Sequence, residues 1–168
     1  MRIITSVVAA VLIAVASLGA QQRPDFSGAW VLLQDRSSQT PQTIAGSVVV
    51  SVTGLLGDKF SAVQDAKTLA LTITVVALGG DIKAVYNLDG SESKNMNPVG
   101  GGQPDEPIFS RASWEGDKLV ILTRGTAVVN GKVTETRRVM WLDTDGLLTI
   151  DRIAEGAPTR RSVYQRSK

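Results

Sequence analysis

The chain has 168 residues, 43% of them hydrophobic, with no cysteine and no histidine, and its 18 lysines and arginines nearly balance 16 aspartates and glutamates. Those figures exclude a disulfide-stapled scaffold, zinc sites built on Cys and His, and a histidine general base. Near-neutrality also argues against nucleic-acid binding driven by counterion release.

Met1 to Ala20 reads as a secretory signal: Arg2 is its positive start, Ile3 to Leu18 its apolar run, and Leu18-Gly19-Ala20 its small-residue cleavage site. The apolar run falls short of the about 20 residues that a bilayer-crossing helix needs. No cysteine follows it to carry a lipid. The expectation is therefore an exported protein, periplasmic or extracellular, with no stable membrane anchor. Residues 21–168 then form a single domain, monomeric, with a core large enough to fold unaided.

From there the pattern has period two. Strands are predicted over Gly28–Leu33, Ser47–Val52, Lys59–Gln64, Thr68–Val75, Asp81–Leu88, Phe109–Trp114, Lys118–Val128, Lys132–Leu142, Leu147–Ile153 and Arg160–Gln165. Alternation is clearest where Leu69, Leu71, Ile73 and Val75 share one face against Thr68, Ala70, Thr72 and Thr74. Hairpin signals separate the strands: Gly57-Asp58, Gly79-Gly80-Asp81, Asp89-Gly90, Glu115-Gly116-Asp117, Asn130-Gly131 and Asp145-Gly146. Met96 to Pro107, rich in glycine and proline, reads as a flap or a disordered connection. No segment after the signal has helical periodicity. The fold class predicted is all-β, an antiparallel up-and-down β-barrel of about eight to ten strands, closed so that no sheet edge is exposed.

The opening Phe26-Ser27-Gly28-Ala29-Trp30 resembles the G-x-W start of lipocalins. Further segments, in order, resemble small exported bacterial lipocalin-like barrels of uncharacterised function. They are Gln64 to Leu69, Val85 to Asn95, Ala112 to Ile121 and Ser162 to Arg166. The T-D-Y loop motif and C-terminal helix of true lipocalins are missing. The resemblance implies that Gly28 and Trp30 plug one barrel end, with the tryptophan packed under an arginine near the last strand, Arg166 or Arg161.

Catalytic and metal-binding residues are not expected. Asp143-Thr144-Asp145-Gly146 looks faintly like a calcium loop, but Leu147 stands at the next ligand position, and a hairpin turn is the simpler reading. Asp89 and Glu92 flank another turn, and Gly100-Gly101-Gly102 lacks the lysine and hydroxyl of a phosphate loop. Arg137-Arg138 and Arg160-Arg161 sit within strands, so each pair splits across the two faces and can turn one arginine inward, a possible anion contact. Candidate lining residues for a small apolar or amphipathic ligand are Phe60, Leu71, Ile73, Tyr86, Trp114, Ile121 and Trp141. No cofactor is implied. The function expected is non-catalytic ligand binding, the alternative being an interaction or inhibitor module with a side-chain-filled barrel and an apolar patch around Met96 to Phe109. An enzyme working with carboxylates or an inward arginine ranks third.

Overall fold

A computed structural model describes residues 23–38, 43–44, 47–48, 56–75, 80–96, 107–129, 132–156 and 158–168. The signal segment Met1 to Ala20, residues 97–106 of the long loop and the Asn130-Gly131 turn lie outside them. Among the described residues there are twelve strands: β1 (Gly28–Leu32), β2 (Thr43–Ile44), β3 (Ser47–Val48), β4 (Lys59–Gln64), β5 (Thr68–Val75), β6 (Gly80–Asn87), β7 (Glu92–Met96), β8 (Pro107–Glu115), β9 (Lys118–Val129), β10 (Lys132–Leu142), β11 (Leu148–Ala154) and β12 (Arg160–Arg166). Among the described residues β2 and β3 pair with each other in a separate two-stranded sheet.

The other ten strands form one antiparallel sheet in the order β6-β5-β4-β1-β12-β11-β10-β9-β8-β7. Apart from the first strand meeting the last, every neighbour in that order follows the previous barrel strand along the chain. The sheet is therefore an up-and-down barrel, nearly closed. A 3-10 turn at Gln34–Arg36 follows β1.

Closure differs at its two joins. β1 and β12 meet by an ordinary ladder, with Trp30 opposite Arg166 and Leu32 opposite Tyr164. β6 and β7 approach without one, and side chains bridge the seam. Val85 N–H donates to Asn95 Oδ1 at 2.7 Å, and Asn95 Nδ2 donates back to the Val85 carbonyl at 3.0 Å. Asn87 N–H donates to Ser93 Oγ at 2.7 Å. The Asn95 amide thus imitates a strand edge, satisfying backbone groups that would otherwise cost free energy in the wall.

Alternation places the core inside. Trp30, Phe60, Ala62, Leu69, Leu71, Ile73, Ile82, Ala84, Tyr86, Ala112, Leu119, Ile121, Met140, Leu148, Ile150 and Tyr164 are buried in one cluster with Phe26, Leu56 and Leu88. The outer face carries ion pairs, Arg137 to Glu115 at 2.7 Å and Arg161 to Asp151 at 2.8 Å. Gly116 opens the two-residue turn between β8 and β9 at φ 65°, the left-handed conformation that such a turn requires.

Two strand assignments need correction. Ser47–Val52 is predicted as a barrel strand, but among the described residues Ser47–Val48 ladders with Thr43–Ile44, and residues 49–52 lie outside them. β7, sequence Glu92-Ser93-Lys94-Asn95-Met96, was not expected as a strand, because its polar residues lack the hydrophobic alternation. Its inward side chains are spent on hydrogen bonds to β6 instead of on packing.

Candidate functional site

The barrel interior has two unlike ends. One is built from Phe26, Trp30, Gln64 and Arg166. Trp30 is fully buried and donates through Nε1 to the Phe26 carbonyl at 2.9 Å. The Gln64 side chain holds the incoming chain, accepting from Phe26 N–H at 3.1 Å and donating to the Pro24 carbonyl at 2.9 Å. Its backbone N–H donates to Ser27 Oγ at 2.9 Å. Arg166 lies over the Trp30 ring at 4.6 Å, and donates from Nη1 to the Ser27 carbonyl and from Nη2 to that of Asp25 at 3.0 Å. This end is held by side-chain hydrogen bonds to the incoming backbone and filled by aromatic rings. Of the two arginines suggested for the tryptophan, Arg166 covers it. Arg161 lies outside, over Trp141 at 5.5 Å.

The other end differs between its two walls. On one wall Phe60 pairs with Trp30 and sits opposite Tyr164, rings edge to face at 5.0 Å. Ile73 and Ile82 pair across β5 and β6. On the other wall the side chains are polar or small. Thr136, Thr123, Ser110 and Ser93 are successive ladder partners across β10, β9, β8 and β7. Ser110 and Thr123 share a hydrogen bond at 2.9 Å.

One ladder row further along, Arg160, Arg152, Arg138, Ile121 and Ala112 face one another in sequence. Three arginines therefore stand side by side on the inner wall. Directly opposed residues have Cβ atoms about 5 Å apart, and like charges there are destabilising. Arg138 is only 3% exposed, and Arg152 is partly buried, with its Nε sealed from solvent and not hydrogen-bonded. Burial first, then the guanidiniums of Arg160 and Arg138, hold the Arg152 pKa below its ordinary value. On the outer face Arg137 and Arg161 each meet a carboxylate. Among the described residues the inward strand positions carry no acid, while Asp58, just before β4, acts on Tyr164 together with Arg138.

Tyr164 adjoins this row. Its hydroxyl donates to the Gly57 carbonyl at 3.2 Å, and burial pushes its pKa up to about 12, with a hydrogen bond to Ser162 and then the Arg138 charge pulling it back. The unfolded value is near 10, so the buried neutral phenol stabilises the fold fully below pH 10. That contribution is lost as pH rises towards 12, and two pKa units amount to about 2–3 kcal/mol. Urea midpoints should therefore fall between pH 9 and 12 in the natural protein. In Tyr164→Phe the fall should be smaller; an unchanged slope would place the titration elsewhere.

Of the expected ligand-lining residues, Phe60, Leu71, Ile73, Tyr86 and Ile121 lie in the core cluster and Trp114 packs against it, but they are spread along the barrel. Phe60 and Ile73 are buried together beside Tyr164, and Ile121 stands next to Arg138 in the arginine row. Tyr86 is buried opposite Leu69. Trp114 belongs to the plugged end, stacked on Phe26 at 5.8 Å with Arg23 over it. Trp141 is a correction. Met140 and Leu142 take the inward positions of β10, so alternation turns Trp141 outward, between Lys118 at 4.9 Å and Arg161.

Arg152, between the two flagged pairs in the row, escaped the sequence reading. Counting by twos from Leu148 and Ile150 turns it inward, which was the available signal. Asp143 is occupied as a turn residue, its Oδ1 accepting from Asp145 and Leu147 N–H groups at 2.9 and 2.8 Å. No family model matches the chain, and no curated protein matches it.

Proposed function

We propose that the chain is an exported, non-catalytic lipocalin-like container that holds a small apolar or amphipathic molecule inside the barrel, away from Trp30. The observation carrying this reading is the wall opposite the plug, where Ser93, Ser110, Ala112 and Thr123 present small inward side chains. Eight strands make an interior that side chains just fill, and the cross-section grows with strand number. Ten strands with small residues on one wall favour an occupant over self-filling. Lipocalin kinship rests on Gly28, Trp30 and Arg166, and export on residues 1–20.

Native mass spectrometry of protein purified from its own host tests the reading. A discrete added mass that leaves on denaturation is expected, and a bare mass at every purification stage would count against it. The interaction-module reading keeps one observation in its favour. Met96 and Phe109 are 53% and 36% exposed on the outer face, where strand pairing brings them near each other. A co-purifying protein displaced by Met96→Ser and Phe109→Ser would favour it.

A further inference from the structure

We infer that Arg138, Arg152 and Arg160 form a binding site for the anionic head group, carboxylate or phosphate, of an amphiphile whose chain lies in the barrel. The inference rests on the container reading above and adds the charge of the occupant.

Three features converge. The arginines are direct ladder partners on the inward face of β10, β11 and β12. Folding brings these like charges together and partly removes them from water, an arrangement that costs stability. An anion in their midst reverses that cost, since guanidinium forks meet carboxylate or phosphate oxygens with paired, charge-assisted hydrogen bonds. The Arg152 Nε–H, sealed and without a partner, is a donor available for this role.

The neighbouring rows suit an amphiphile. On one side run the hydroxyls of Thr136, Thr123 and Ser110, which can serve the remaining head-group oxygens. On the other run Ser162, Ile150, Met140 and Leu119, mostly apolar, leading towards the plug. Arg160 lies six residues along β12 from Arg166. At strand rise that is roughly 20 Å of wall between the charged row and Arg166, a span comparable to that of a medium-length alkyl chain.

Isothermal titration with decanoate, decyl phosphate, decanol and inorganic phosphate tests the site, using the natural protein, Arg152→Gln, Arg160→Gln and the outward control Arg161→Gln. Both anionic amphiphiles should bind about tenfold or more tightly than decanol. Arg152→Gln or Arg160→Gln should weaken the anions by about ten- to a hundredfold and leave decanol unchanged. Arg152→Gln should also melt no lower than the natural protein, because it relieves like-charge repulsion. Arg160→Gln, nearer the strand end, keeps the test open if Arg152→Gln fails to fold.

Decanol binding as tightly as decanoate would overturn the anionic site and leave the container reading intact. Failure of all four ligands would overturn both. Inorganic phosphate binding as tightly as decyl phosphate would make this a free-anion site and remove the amphiphile. Equal loss in Arg161→Gln would reduce the effect to net charge.

Discussion

Trp30→Ala is expected to cost about 3–5 kcal/mol, the range for removing a buried aromatic side chain. Whole domains are stable by only about 5–15 kcal/mol, so the variant should be marginal or unfolded at room temperature. The size of the effect follows from the position. Trp30 is fully buried, fills the barrel end and anchors the preceding chain through the Phe26 carbonyl. Its removal also strips Arg166 of the ring beneath it. Trp30→Phe keeps most of the packing but loses the indole donor, and should recover more than half of the loss. Urea unfolding followed by circular dichroism gives both values. A loss under about 1 kcal/mol for the alanine variant would show that this end does not hold the barrel together.

Gly28→Ala is the second large effect, at about 2–4 kcal/mol from backbone strain and displaced hydrogen bonds. Gly28 has φ 131°, where an L side chain is strained, and a Cβ there would stand 2.6 Å from Arg166 Nη1. A free arginine would simply swing away. This one is held by the Ser27 and Asp25 carbonyls and the Trp30 ring, so moving it surrenders all three contacts. A double-mutant cycle separates strain from collision. In an Arg166→Ala background, Gly28→Ala should cost at least 1 kcal/mol less than in the natural protein, by loss of the hydrogen-bond share. An identical cost in both backgrounds would leave backbone strain as the whole effect. The spacing of Gly28 and Trp30 thus has a local reason. The glycine leaves room for the arginine that covers the tryptophan.

Much of this architecture is legible in the sequence, for physical reasons that differ by strand. β5 and β6 bury one face only, so their hydrophobic residues alternate and reveal both strand and orientation. β7 is illegible by that rule, because Ser93 and Asn95 contribute hydrogen bonds across the seam rather than apolar area. Ser47–Val52 has strand-like composition, yet composition cannot say which ladder a segment joins.

At the site, the Arg137-Arg138 and Arg160-Arg161 pairs announce one inward arginine each. That the two inward members share a row with Arg152 depends on the registers of β10, β11 and β12, which no local pattern contains. Trp141 misled for a related reason. A large aromatic is usually core, but period two gives the inward positions to Met140 and Leu142, and Trp141 lies outside between two cations.

The division of the barrel into a structural end and a binding end is tested most directly by NMR titration of the isotope-labelled protein with decanoate. The account predicts shifts in the Arg152 Nε–H and in the amides of Ile121, Thr123 and Ser162, while the Trp30 indole N–H stays in place. Shifts centred on Trp30 and Phe26, or on the outer face around Met96 and Phe109, would contradict it.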